Sequence, residues 1–291
     1  MKTGFRSFHP VTAFIFYAFV MILSITAAHP VVLLISLICP VIYDVKLRGR
    51  ASLSFALKRV LPLILFSSLI NGLFSHYGVT VLFTLPSSNV FTLEAVVYGG
   101  VFALRAGAVL MWLGSLSEVM TSEKIIWLFG RISPKTALII SMALRFIPLI
   151  TSQSEEIALA EKGIGCAASS SSFISRVKSG AKRLSILVSW SLERGIDTQN
   201  SMNARGYGLK GRTSYSPFVF SVKDLLLCIS VIIGAALLFV TRDTLTALYS
   251  PMIIIPFPSV FEIITCVFFA FLLLLPFIID VAEDKKWSIS A

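Results

Sequence analysis

Apolar runs of bilayer-spanning kind recur along the whole chain, at residues 11–28, 31–43, 60–82, 93–116, 222–240 and 260–279. A backbone in hydrocarbon must satisfy its own hydrogen bonds, and about 20 apolar residues in a helix cover the ~30 Å of lipid. Hydrophobic residues make up 56% of the chain, charged residues only 14%, and the mean hydropathy is +0.87. A soluble domain of this length has too little interior to hide that much apolar surface. The expected fold is therefore an all-α polytopic membrane protein with about six transmembrane helices. The first run alone has the features of a secretory signal ending at Thr26-Ala27-Ala28. Its length and the similar runs that follow favour a retained first span, with His29-Pro30 as the turn into the second.

Charge sets the expected orientation. Of the 25 Lys and Arg residues, all but Arg105 and Arg242 fall in 1–59, in 117–223 or in the tail at Lys285 and Lys286. Cytoplasmic loops gather Lys and Arg, so six spans with both termini in the cytoplasm satisfy every loop. The basic loop 44–59 belongs inside, and the uncharged turn Leu85-Pro86-Ser87-Ser88-Asn89 outside. The net charge of +10 is then a matter of topology, and no aromatic-interleaved basic patch points to nucleic acid. Cys39, Cys166, Cys228 and Cys266 are as scattered as His9, His29 and His76, without the spacing of a metal site. Arg105 stands inside the fourth run. A cation at that depth is a functional candidate, or else it packs against a helix carbonyl or Glu94.

Residues 133–213 differ from the rest. Ser133-Pro134 is a helix start, and the helix carries no charge until Arg145 beyond its opening turn. Phe146-Ile147-Pro148 follows, and proline there removes a backbone bond and predicts a bend. Glu155, Glu156, Glu161 and Lys162 then mark water, and Gly163-Ile164-Gly165 with Ser169 to Ser172 marks a break. A second helix begins near Phe173, with Phe173, Val177, Ala181, Leu184 and Val188 on one stripe that predicts packing along that side. It closes at Ala204-Arg205-Gly206, where Arg205 either caps its own helix or serves a partner. Residues 206–213 nearly spell a phosphate loop, with Arg212 for the lysine. A helix precedes them instead of a strand, which argues against it.

Taken together, Ala143-Leu144-Arg145-Phe146-Ile147-Pro148, the serine-rich gap, the amphipathic helix and its Ala-Arg-Gly-Tyr end resemble the transmembrane T component of energy-coupling factor transporters, the EcfT/CbiQ family. His9-Pro10-Val11-Thr12, Thr92-Leu93-Glu94 and Ala103-Leu104-Arg105 extend the resemblance over most of the chain. It implies two long cytoplasmic coupling helices, each ending in Ala-Arg-Gly docked in a groove of one ABC ATPase subunit. It also implies a bend at Arg145 and Pro148, and a small hydrophobic S component resting on faces such as Leu138, Ile139 and Met142. The second docking motif is intact as Ala204, Arg205 and Gly206. The first falls on Gly163, Ile164 and Gly165, with Ile164 where arginine is expected. Either Lys162 substitutes, or that dock is apolar and weaker, since an ammonium lacks the planar fork of arginine.

The same resemblance implies a non-catalytic subunit in a bacterial or archaeal cell membrane. It binds no cofactor itself, while ATP and Mg sit on two ATPase partners, identical or different. One or more S components select a vitamin or metal ion. Residues 1–116 form four spans, 117–221 the coupling region, and 222–291 two more spans and a tail. An ordinary ABC permease would show a Glu-Ala-Ala-type loop, and an intramembrane enzyme paired polar groups within spans. Neither is present, and a membrane scaffold or receptor without ATPases remains as the other class.

Overall fold

The structure is a computed structural model that describes residues 4–75, 78–84, 90–164, 173–209, 218–242, 244–249 and 252–290. It divides into two compact units, one of residues 1–125 with 218–291 and one of residues 126–217. The first holds α1 (Pro10–Thr26), α2 (Pro30–Arg48), α3 (Arg50–Phe55), α4 (Leu61–Phe74), α5 (Leu93–Val119), α9 (Val222–Val240) and α10 (Val260–Ser290). The second holds α7 (Pro134–Gly163) and α8 (Phe173–Ala204), and α6 (Ser122–Ile132) starts in one unit and ends in the other.

Local chemistry explains the helix boundaries. Pro10 and Pro30 each occupy the first position of a helix, where a missing N–H costs nothing. The preceding His9 and His29 cap these starts, their Nδ1 atoms accepting the N–H of Val11 and Val31 at 3.4 Å. At the start of α9, Ser221 and Asp224 form a reciprocal capping box. Gly49, at φ +64°, ends α2, and the helix resumes at once through a π turn, Ala56–Val60, into α4. The basic segment expected as a loop over 44–59 is thus mostly helical, and Arg59 lies over the Phe55 ring at 4.7 Å.

Among the described residues, six helices are long and apolar enough to cross a membrane: Pro30–Arg48, Arg50–Phe74, Leu93–Val119, Pro134–Gly163, Val222–Val240 and Val260–Lys286. Their membership differs from expectation in two places. α1 is a shorter apolar helix, and Pro134–Gly163, expected to start against lipid and finish in water, is long enough to span. The third run also ends earlier than expected. The helix stops at Phe74, and β1 (Val81–Thr84) pairs antiparallel with β2 (Val90–Thr92). The turn expected at Leu85 to Asn89 lies outside the described residues.

The core of the first unit is aromatic. Phe5, Phe16, Tyr17, Tyr43 and Trp112 are fully buried and meet edge to face, with Phe5–Phe16 at 5.4 Å and Phe16–Trp112 at 6.1 Å. They tie the N-terminal segment, α1, α2 and α5 together. Charges stitch one end of this bundle. The Asp280 carboxylate accepts the Phe5 N–H at 2.5 Å, and Asp224 accepts the His9 N–H at 2.9 Å. Arg6 pairs with Glu118 at 2.9 Å, Arg48 reaches Asp44 and Glu118, and Lys46 pairs with Asp284 at 3.0 Å. The N-terminal segment and the far end of α10 therefore share one end of the bundle. In the adjoining start of α6, burial pushes the Lys124 ammonium down, while the Asp224 carboxylate pulls it back up.

α4 packs on α5 through small and polar residues. Asn71 Nδ2 donates to the Ala95 carbonyl at 2.7 Å, and the Ser68 hydroxyl to that of Val96 at 2.8 Å. Such bonds and small residues replace the hydrophobic effect between helices in lipid. A Cβ on Gly99 would lie 2.6 Å from Asn71 Cβ and 2.7 Å from the Ser67 carbonyl oxygen, so the two backbones cannot separate to admit one without losing these bonds. Gly99→Val is expected to cost about 1–3 kcal/mol of stability. A melting temperature in detergent equal to that of the parent would contradict this contact.

Candidate functional site: the α7–α8 helix pair

The polar central stretch folds as two helices of 30 and 32 residues. Pro134 opens α7 behind Ser133, whose hydroxyl lies 2.8 Å from that of Thr136. α7 then runs unbroken from Pro134 to Gly163 with Pro148 inside it. The proline denies the Leu144 carbonyl its helical partner. One turn on, the Thr151 hydroxyl donates to the carbonyls of Ile147 and Pro148.

The two helices lie antiparallel. Met142, Arg145, Phe146 and Leu149, at positions three and four apart, form one face of α7. They meet Arg194, Asp197, Thr198, Ser201, Met202 and Arg205 of α8 around a groove of about 340 Å³. Nearer the other end, Arg183 of α8 pairs with the buried carboxylate of Glu161. Apolar side chains from both helices floor the groove, while Arg145, Arg194 and Arg205 surround it with Asp197 as the one acidic group among the lining residues.

The end of α8 is built by the backbone. Gly206, at φ +82°, takes the left-handed conformation. The Tyr207 N–H then reaches the Met202 carbonyl at 3.0 Å, and the Gly206 N–H reaches the Asn203 carbonyl at 3.0 Å. This is a Schellman closure with Arg205 at the cap position. It corrects one reading of Arg205. These terminal carbonyls are taken by amides, and the guanidinium makes no hydrogen bond or ion pair among the described residues. Arg205 is exposed at the mouth of the groove, and Ala204 beside it is exposed as well.

The end of α7 differs. Ile164 caps it in right-handed geometry, with φ −85° and its N–H on the Ala160 carbonyl at 3.1 Å. Lys162, Gly163 and Ile164 are exposed, Ile164 at 77%, and a side chain at Gly163 would meet nothing within 4 Å. Gly165, the serines 169–172, and Lys210, Gly211, Arg212 and Thr213 lie outside the described residues. Because the helices run antiparallel, the end of α8 lies beside Met142 and that of α7 beyond Glu161. Roughly 30 Å of helix separates them at 1.5 Å per residue.

The other expected residues are distributed around the pair. Ile139 is exposed, Leu138 is half-buried, and Met142 turns into the groove. The α8 stripe of Phe173, Val177, Ala181, Leu184 and Val188 is not covered by the described residues of the chain itself. It is exposed, and α8 instead turns Arg183, Leu187, Trp190, Thr198 and Met202 inward. Arg194 and Asp197 were not signalled by any motif. They stand eleven and eight residues before Arg205 and three from each other, and that spacing is the signal that identifies their shared face.

The chain matches the family described as cobalt transport protein, CbiQ, over residues 2–215. It is 30% identical over 207 residues to the energy-coupling factor transporter transmembrane protein EcfT of Bacillus selenitireducens, covering 66% of this chain and 75% of that protein. It is 29% identical over 208 residues to the protein of that name in Bacillus subtilis, covering 66% and 77%. With the Lactobacillus helveticus EcfT it shares 36% identity over 107 residues, 36% and 39% of the two chains.

At a left-handed position a branched side chain costs roughly 1–2 kcal/mol. Gly206→Val is therefore expected to open the last turn of α8, read as faster hydrogen exchange at the Gly206-to-Tyr207 closure. Unchanged protection of Tyr207 would show that the closure does not need the glycine.

Proposed function

The chain belongs to the cobalt transport protein (CbiQ) family, and we propose that it acts as the coupling subunit between two ATPases and a substrate-binding S component. At the coarser level it is a multi-pass transmembrane component of an energy-coupling factor type transporter. The observation that carries the finer reading is the end of α8. A Schellman closure holds Arg205 at the tip of a long helix with no partner for its guanidinium among the described residues. A planar cation presented in this way suits a partner carboxylate, which it grips with two parallel hydrogen bonds.

The antiparallel arrangement supports two separate docks. The exposed end of α7 at Lys162, Gly163 and Ile164 lies far along the pair from Arg205, too far for one small groove to hold both. Ile164 lacks the guanidinium that Arg205 offers, so the two docks differ in chemistry, which favours two different ATPases or two unequal contacts. ATP and Mg sit on those partners, and this chain contributes no bond-making group of its own. Closure of the ATPase pair moves the helix ends, and the Glu161–Arg183 pair and the packed groove transmit that motion along the helices.

The S component rests on apolar surface that the chain does not cover itself. Ile139 and Ile147 of α7, and Phe173, Val177, Leu184 and Val188 of α8, are exposed. Apolar faces without directional bonds let a hydrophobic partner shift position at little cost. The cargo, a vitamin or a metal ion, is the property of that partner. The end of the bundle that holds the N-terminal segment and the far end of α10 faces the cytoplasm, in keeping with its Lys and Arg content.

Arg205→Glu is expected to abolish co-purification of at least one ATPase subunit and to reduce ATP-driven uptake in cells by tenfold or more. The reversal replaces an attraction by a repulsion. Ile164→Arg is expected to tighten the complex at the other end, seen as slower loss of ATPase on dilution. A chain that purifies without any ATPase, even after crosslinking at position 205, would mark it as a scaffold or receptor instead.

A further inference from the structure

Arg105 and Arg242, the two basic residues that stand apart from all the others in the sequence, line one cavity. It measures about 530 Å³ and lies in the first unit, at the end of the bundle opposite the ion-pair network. Leu23 of α1, Val32 of α2 and Phe269 of α10 make its wall. Arg105 enters from the middle of α5, and Arg242 from the residues that follow α9.

Neither cation is neutralised by a described residue. Arg105 is half-buried, its Nε is shielded and without a hydrogen-bond partner, and neither arginine forms an ion pair among the described residues. Glu94, the carboxylate nearest Arg105 in the sequence, is engaged elsewhere and accepts the Thr80 N–H at 3.1 Å. Tyr249 is the neighbour that senses Arg105. Burial pushes its phenol up and the arginine charge opposes this, while the hydroxyl donates to the Ala28 carbonyl at 2.8 Å. A guanidinium enclosed by apolar walls without a carboxylate is costly until an anion reaches it.

The walls say what kind of anion. Ile25 and Phe239, at the rim, are 57% and 76% exposed, so apolar surface continues outward from the cavity along the outside of the bundle. A small hydrated anion gains nothing from that surface. We propose that the cavity holds the phosphate headgroup of an anionic phospholipid from the leaflet opposite the ion-pair network, gripped by Arg105 and Arg242, with an acyl chain lying along Ile25 and Phe239. Two arginines match a phosphate by charge and by paired N–H donors.

The test uses the full-length protein in nanodiscs of phosphatidylcholine, with or without phosphatidylglycerol. Phosphatidylglycerol is expected to raise the melting temperature of the parent and to remain on it in native mass spectra. Arg105→Gln with Arg242→Gln is expected to lose the rise and to retain about tenfold less lipid, whereas Lys178→Gln with Lys182→Gln, an equal change of charge on α8, keeps both. Arg242→Gln alone, at an exposed position, serves if the double variant does not fold, and it is expected to retain less lipid than the parent. Full lipid retention in the Arg242→Gln protein would overturn the proposal, as would a parent indifferent to phosphatidylglycerol. So would an equal rise caused by inorganic phosphate in phosphatidylcholine discs, which marks a free-anion site, or a crosslink from position 242 to a protein in place of lipid. These readouts need no ATPase, so they stand or fall apart from the coupling role.

Discussion

The carboxylates Asp44, Glu118, Asp224 and Asp280 hold the membrane unit at one end. Glu118, Asp224 and Asp280 each meet a cation or a backbone N–H from another part of the chain, Asp44 pairs with Arg48 of its own helix, and together they join α2, α5, α9 and α10 to the N-terminal segment. Asp44 and Asp224 are buried, so removal of their partners would strand a charge away from water, whereas the part-exposed Arg6–Glu118 pair contributes less. Their concentration at one end of the bundle leaves the remaining interior to aromatic and aliphatic packing. It also leaves Arg105 as an isolated cation.

Much of this order was legible in the apolar runs and in the charge pattern, because lipid admits few solutions for a backbone. What composition could not fix was where helices begin and end. The segment 44–59 is rich in Lys and Arg, yet only Gly49 breaks its helix, since long basic side chains reach water from a helix as well as from a loop. Residues 75–82 are apolar enough to extend a span, but the chain turns into a strand instead, where β-branched and aromatic residues such as Val81 and Phe83 pair with β2.

The helix pair was legible in parts. Gly206 marked the end of α8 because only a left-handed residue allows that closure, and the structure supplies it. The stripe on α8 was read as a packing face because helical periodicity reports amphipathicity without saying where the partner comes from. Phe173 and Leu184 are exposed, and the contact with α7 runs instead through a face that mixes Met202 with polar groups such as Arg183 and Thr198. The groove between the helices escaped notice for the same reason. Arg145 and Arg205 are 60 positions apart, and only the antiparallel fold brings their faces together.

The bare stripe on α8 carries a cost outside the assembly. A subunit made in excess would display Phe173, Ile174, Val177 and Leu184 to water, the kind of surface that chaperones and proteases recognise. Unassembled copies would be removed, so the amount of this chain in a cell would follow the supply of whatever covers that face rather than its own rate of synthesis.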